Sequence, residues 1–241
     1  ALRLMVENYP TSELADNALL RIAEIYFDRA QKSKSSLDRQ KAEDAYNEIV
    51  TKYPGTESEA IAHFQMGSIY FKIDNNFQRS ADSFAKSVEV IDKLLNKILT
   101  GAYVPADLDV AIIANLLLRA NFWQAESMFQ LAKQSEQQAQ PPAVTKQAYA
   151  QARNIYQQLL SRGTKLRNDF PQKTDNLYNV MDGSKLDIPI IGETQFMISR
   201  CFYKEGDFEN AMSNLKDIKS PEKLKLKADY LYATIAYDQG K

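Results

Sequence analysis

The chain has 241 residues and a formal net charge of -1, which excludes a nucleic-acid binder that works through a basic surface. No apolar run reaches the roughly 18 residues of a membrane-spanning helix; one cysteine, Cys201, leaves no internal disulfide framework or Cys-based zinc site, and one histidine, His63, argues against a His-based metal site or a His-dependent triad. Only 8 Gly and 8 Pro interrupt it, so long helices are expected.

Taken in chain order, the sequence matches itself at a shift of 44 residues. Ala1–Ser12 (ALRLMVENYPTS) pairs with Ala45–Thr56 (AYNEIVTKYPGT), with Ala, Val, Tyr and Pro identical. Leu20–Phe27 (LRIAEIYF) pairs with Phe64–Phe71 (FQMGSIYF) at the same shift. Ile22, Ala23 and Tyr26, like Met66, Gly67 and Tyr70, fall on one helix face. Ala42, Tyr46 and Ile49 repeat that spacing on a second helix. Each unit therefore reads as two antiparallel helices, neither of which buries its apolar face alone.

The boundaries have their own chemistry. Pro10 and Pro54 close second helices. A loop over Gln31–Lys34 precedes a helix over Leu37–Tyr53, capped by Ser35 or Ser36. Thr56 and Glu59 form a capping box. Ser80–Leu99 runs without a breaker. Leu108–Gln138 is either one helix or two, broken near Arg119–Asn121. After the turn at Gln140-Pro141-Pro142, Thr145–Asp169 forms its partner and tolerates Gly163.

Gln172–Gly192 does not read as repeat. Asp182-Gly183-Ser184 and Pro189 mark a loop, with one helical turn over Leu177–Met181. Asp175, Asp182 and Asp187 lack calcium-loop spacing and read as solvated loop. Phe196–Leu215 carries both helix blocks around a Gly206-Asp207 turn. Ser220-Pro221-Glu222 places a capping serine before a proline at the first helical position. Tyr232–Lys241 is another first-helix block, so the chain runs from the second half of one unit to the first half of another.

Two sets of residues stand seven apart on the first helices. Leu20, Phe64, Phe122, Phe196 and Leu231 precede the small position by three residues, and Phe27, Phe71, Phe129 and Tyr203 follow it by four. They form one aromatic face, which is either an open groove or a surface covered by second helices and the 172–192 loop. Cys201 stands at the position of Ile25 and Ile69 and reads as a core residue. His63 reads as a packed or rim residue. Lys216, Lys219, Lys223, Lys225 and Lys227, diluted by Asp217 and Glu222, read as solvated surface.

These blocks resemble the tetratricopeptide repeat family: a small residue and an aromatic on the first helix, Ala and an aromatic on the second, and a closing Pro. The resemblance covers about residues 1–95, 115–171 and 193–241. It implies an all-α, right-handed superhelical solenoid of antiparallel helix pairs over 1–241, with elongated helices and a 172–192 insertion. It also implies a non-catalytic scaffold for a protein or peptide partner, with no cofactor. First helices line the concave side in this family. The resemblance therefore assigns partner binding to Phe27, Phe64, Phe71, Phe122, Phe129, Phe196, Arg200, Tyr203 and Lys204, with Glu24 as a further polar contact. The Tyr9-Pro10-Thr11-Ser12 and Tyr53-Pro54-Gly55-Thr56 endings are similar to the bacterial cell-envelope branch, which implies a periplasmic or envelope location. The alternatives are a docking module of a larger protein and a module that self-associates through half-repeats at its ends.

Overall fold

The computed structural model describes residues 1–12, 14–102, 110–170, 190–218 and 221–240. All regular structure among them is helical, packed in sequence-adjacent pairs. Contacts divide the chain into two compact units, Ala1–Leu108 and Asp109–Lys241. Asp175, Asp182 and Asp187, read as solvated loop, the turn at Leu177–Met181, and Ser220 lie outside the described residues.

Unit one contains α1 (Leu2–Asn8), α2 (Ala15–Ser33), α3 (Ser36–Lys52), α4 (Glu57–Lys72) and α5 (Phe77–Leu99). Side chains that accept orphan backbone N–H groups start three of them. Ser35 Oγ accepts from Asp38 at 3.2 Å, Thr56 Oγ1 from Glu59 at 3.2 Å, and Asn76 Oδ1 from Arg79 at 3.1 Å. The capping box at Thr56 closes one residue early: Glu59 accepts from the Gly55 N–H. The expected loop at 31–34 shrinks to Lys34 and Ser35, because α2 continues to Ser33 and Lys34 turns the chain in the left-handed region. Helix α5 starts before Ser80, at Phe77, because Asn76 supplies the cap.

Helix α2 packs on α3, α4 on α5, α3 on α4, and the two first helices α2 and α4 also touch. Leu19, Ala23, Tyr46, Ile49 and Ile69 are buried together. Small residues let α4 and α5 approach closely. A Cβ added at Gly67 would stand 2.9 Å from the Phe84 ring. Ser80 and Ser87, seven apart on α5, donate to the Gly67 and Ala60 carbonyls at 3.0 and 2.8 Å.

Unit two contains α6 (Val110–Gln137), α7 (Pro142–Asp169), α8 (Ile190–Glu205), α9 (Phe208–Lys216) and α10 (Glu222–Asp238). Helix α6 is continuous through Arg119–Asn121, about 42 Å long at 1.5 Å per residue. Asn121 bonds within the helix, its Nδ2 donating to the Leu117 carbonyl at 2.9 Å. Pro142 opens α7 and Gly163 is buried inside it. The expected 172–192 loop ends sooner, since residues 190–192 are the first turn of α8. Gly206, with φ of 85°, turns α8 into α9, and Asp207 caps α9 by accepting from the Asn210 N–H at 3.2 Å. Pro221, expected at the first helical position, is instead the N-cap of α10, so the helix starts one residue later than expected, and Pro221 makes no side-chain cap bond.

Helix α6 packs on α7, α7 on α8 and α8 on α9; the first helices α6, α8 and α10 touch in succession. Phe129, Tyr149, Tyr156, Cys201, Leu215 and Ile235 share the core.

Candidate functional site

The aromatic face forms in both units, and much of it is covered. Phe27 is buried in the unit-one core. Phe64 is buried with its ring edge against Phe84, centroids 5.2 Å apart. Phe129 is buried against Tyr149 at 5.2 Å, and Phe196 is buried in the unit-two core. Of the two alternatives, open or covered, these four side chains lie covered. Neighbouring helices pack over their rings, so they shape the face from beneath.

The remaining assigned residues are half-exposed. Phe71 lies edge-on to Phe77 at 5.2 Å in unit one. Phe122 contacts Trp123 at 5.9 Å and Tyr156 at 5.7 Å in unit two. The Arg200 guanidinium lies 4.6 Å from the Phe129 ring centre and 6.0 Å from that of Phe196. Its Nη1 donates to Met197 Sδ at 3.3 Å. Lys204 Nζ donates to both Glu136 oxygens, at 2.8 and 2.9 Å. That contact, with a hydrogen bond from the Tyr149 hydroxyl, holds the Glu136 carboxyl below its ordinary pKa. The Tyr203 hydroxyl donates to Asp238 Oδ2 at 2.6 Å, which raises its pKa. Glu24 pairs with Arg21 at 3.1 Å on the surface of unit one.

The structure thus brings Phe129, Phe196 and Arg200 together where α6, α8 and α10 meet. It adds residues that sequence reading missed. Lys227 Nζ lies 5.8 Å from the Phe196 ring centre and 3.4 Å from Glu193, so this lysine of the expected solvated cluster belongs to the face. Asp238 occupies on α10 the place that Phe27, Phe71, Phe129 and Tyr203 hold on other first helices. Its offset from Thr234 was the available signal.

Polar contacts join α3 to α4 in unit one and α7 to α8 in unit two. In unit one, buried Glu43 accepts from the Tyr70 hydroxyl at 2.5 Å and from Arg79 Nη2 at 2.9 Å. Arg39 Nη1 stands 3.2 Å from the same carboxylate, and its Nε donates to Asp74 at 2.7 Å. Burial, with the bond to Glu43, pushes the Tyr70 hydroxyl pKa up. In unit two, Arg153 donates to both Glu205 oxygens at 2.7 and 2.9 Å and lies 4.4 Å from the Phe202 ring centre.

Cys201 is buried, and burial pushes its thiol pKa up, the opposite of an activated nucleophile. His63 is buried with Nδ1 unpartnered, and burial together with Lys86 lowers its pKa to about 4. Among the described residues, no helix is long and apolar enough to cross a membrane.

The α2–α3 pair, with its Ala-Tyr second helix and the Thr56 cap that follows, is the stretch where comparison decides the repeat type. Residues 17–56 match the tetratricopeptide repeat. Repeats of this type mediate protein–protein interaction and are generally non-catalytic scaffolds. No curated protein matches the chain.

Proposed function

We propose that this chain is a non-catalytic scaffold that binds an extended or helical segment of a protein partner along the first-helix face, in a bacterial cell-envelope assembly. The observation that carries the reading is Arg200. Its charge is held in place across Phe129, and among the described residues no carboxylate pairs with it. A cation oriented on an aromatic ring needs little further ordering to receive a partner's acceptor group. Phe122 and Tyr203 flank it as half-exposed aromatic anchors, and Phe71 is the corresponding anchor in unit one. The envelope reading is supported by the Tyr-Pro endings at Tyr9-Pro10 and Tyr53-Pro54.

Affinity capture tests this, using the wild-type chain beside Arg200→Glu and a Phe122→Ala/Tyr203→Ala double variant. The expected result is one partner, recovered from an envelope fraction, that both variants lose while keeping wild-type helical content. Full retention by both variants overturns the assignment of this face.

A further inference from the structure

Arg200 breaks a charge pattern on the first helices. The place one residue after the small position holds Glu24 on α2 and Glu126 on α6, but Arg200 on α8. The carboxylates of its own unit already have donors. Glu126 accepts from the Tyr156 hydroxyl and from Gln130 Nε2, each at 2.8 Å. Glu136 accepts from Lys204, and Glu193 stands 3.4 Å from Lys227 Nζ. Arg39 and Arg153, half-buried like Arg200, each pair with a carboxylate: Arg39 with Glu43 at 3.2 Å and Arg153 with Glu205 at 2.7 Å. Among the described residues, no carboxylate does this for Arg200.

What Arg200 lacks is a charged acceptor. Its guanidinium carries five N–H groups in one plane, and Met197 Sδ, 3.3 Å from Nη1, is a weak acceptor for one of them. The Phe129 ring, with its centre 4.6 Å away, steadies the group without supplying an acceptor atom. A planar fork of donors fits the two oxygens of a carboxylate. The nearby Glu126, Glu136 and Glu193 limit how much negative charge the face accepts, which favours a singly charged carboxylate over a doubly charged phosphate. Phe122 and Tyr203, both half-exposed, offer aromatic surface to the neighbours of that acid.

We infer that Arg200 receives one aspartate or glutamate side chain of the partner segment, set among apolar residues. The inference rests on the proposed binding face and names what that face selects.

Selection from a displayed library of random short peptides tests it, with this chain as bait. The wild-type chain is expected to enrich peptides that share one acidic position among apolar ones. Arg200→Glu is expected to enrich Lys or Arg at that position instead. In an enriched peptide, replacing the acid by its amide should weaken binding to wild type roughly ten- to a hundredfold and leave binding to Arg200→Gln unchanged. The amide peptide measured on the wild-type chain needs no variant to fold. Enrichment of peptides with no shared acidic position overturns the inference. So does an amide that binds wild type as well as the acid does, or that weakens wild type and Arg200→Gln equally. If peptides without the acid are still lost by the Phe122→Ala/Tyr203→Ala double variant, the binding face stands and the acid does not. Enrichment of no peptide overturns both.

Discussion

The two units place opposite charges at the same position of the second helix. Glu43 in α3 and Arg153 in α7 correspond when KAEDAYNEIV is laid on QARNIYQQLL. Each reaches the next first helix, at Tyr70 and Phe202 respectively. Where the aromatic has a hydroxyl, a carboxylate accepts from it; where it has none, a guanidinium covers the ring. An ion pair then anchors each contact, Arg39 with Asp74 in unit one and Arg153 with Glu205 in unit two. The repeat keeps the place of the contact and changes its chemistry.

The largest expected effect breaks the unit-one version. Glu43→Ala leaves the buried Tyr70 hydroxyl without its acceptor and removes the carboxylate shared by Arg39 and the half-exposed Arg79. It should lower stability by about 3–4 kcal/mol, read from the midpoint of chemical denaturation. A loss below about 1 kcal/mol would mean the network adds little beyond packing.

A second difference lies on the first helices. His63 in α4 corresponds to Asn121 in α6, each four residues before the small position. Burial lowers the folded-state pKa of His63 from 6.5 to about 4. Between those values the unfolded chain binds a proton that the folded chain refuses. The contribution is therefore complete above about pH 6.5 and is lost as pH falls toward 4, by about 3 kcal/mol. His63→Asn, which copies unit two, should flatten this part of the stability–pH profile. An unchanged profile would place the acid sensitivity in other groups.

The smallest expected effect separates two equivalent tyrosines. Tyr156 donates to Glu126 at 2.8 Å, whereas the buried Tyr46 hydroxyl has no partner. Tyr156→Phe should cost about 1 kcal/mol, and Tyr46→Phe about zero. Equal losses in thermal melts would show that Tyr46 finds a partner in solution, for which Glu24, at the place of Glu126, is the nearest counterpart in the repeat.

Much of the pair architecture was legible in the sequence. Its signals are local: small residues at helical spacing, Ser35 and Thr56 as caps, the Gly206-Asp207 turn, and Pro after the second helices. The cover over Phe27, Phe64, Phe129 and Phe196 was not legible. Spacing by seven puts residues on one face but carries no information about which neighbouring helix lies over it. The charge reversal was hidden for a related reason. Glu43 and Arg153 answer to Tyr70, Arg79 and Glu205, on other helices, and self-alignment scores each position by itself. The meeting of Lys227 with Phe196 likewise required the contact between α8 and α10.

The register of the repeat places Gly67 at the crossing of α4 and α5, beneath the Phe84 ring. Gly67→Leu tests it most directly through the denaturation midpoint. A side chain forced into that space should lower stability by about 1–3 kcal/mol, with helical content retained at low temperature. A midpoint equal to wild type would mean the two helices do not meet at Gly67 and would contradict the register.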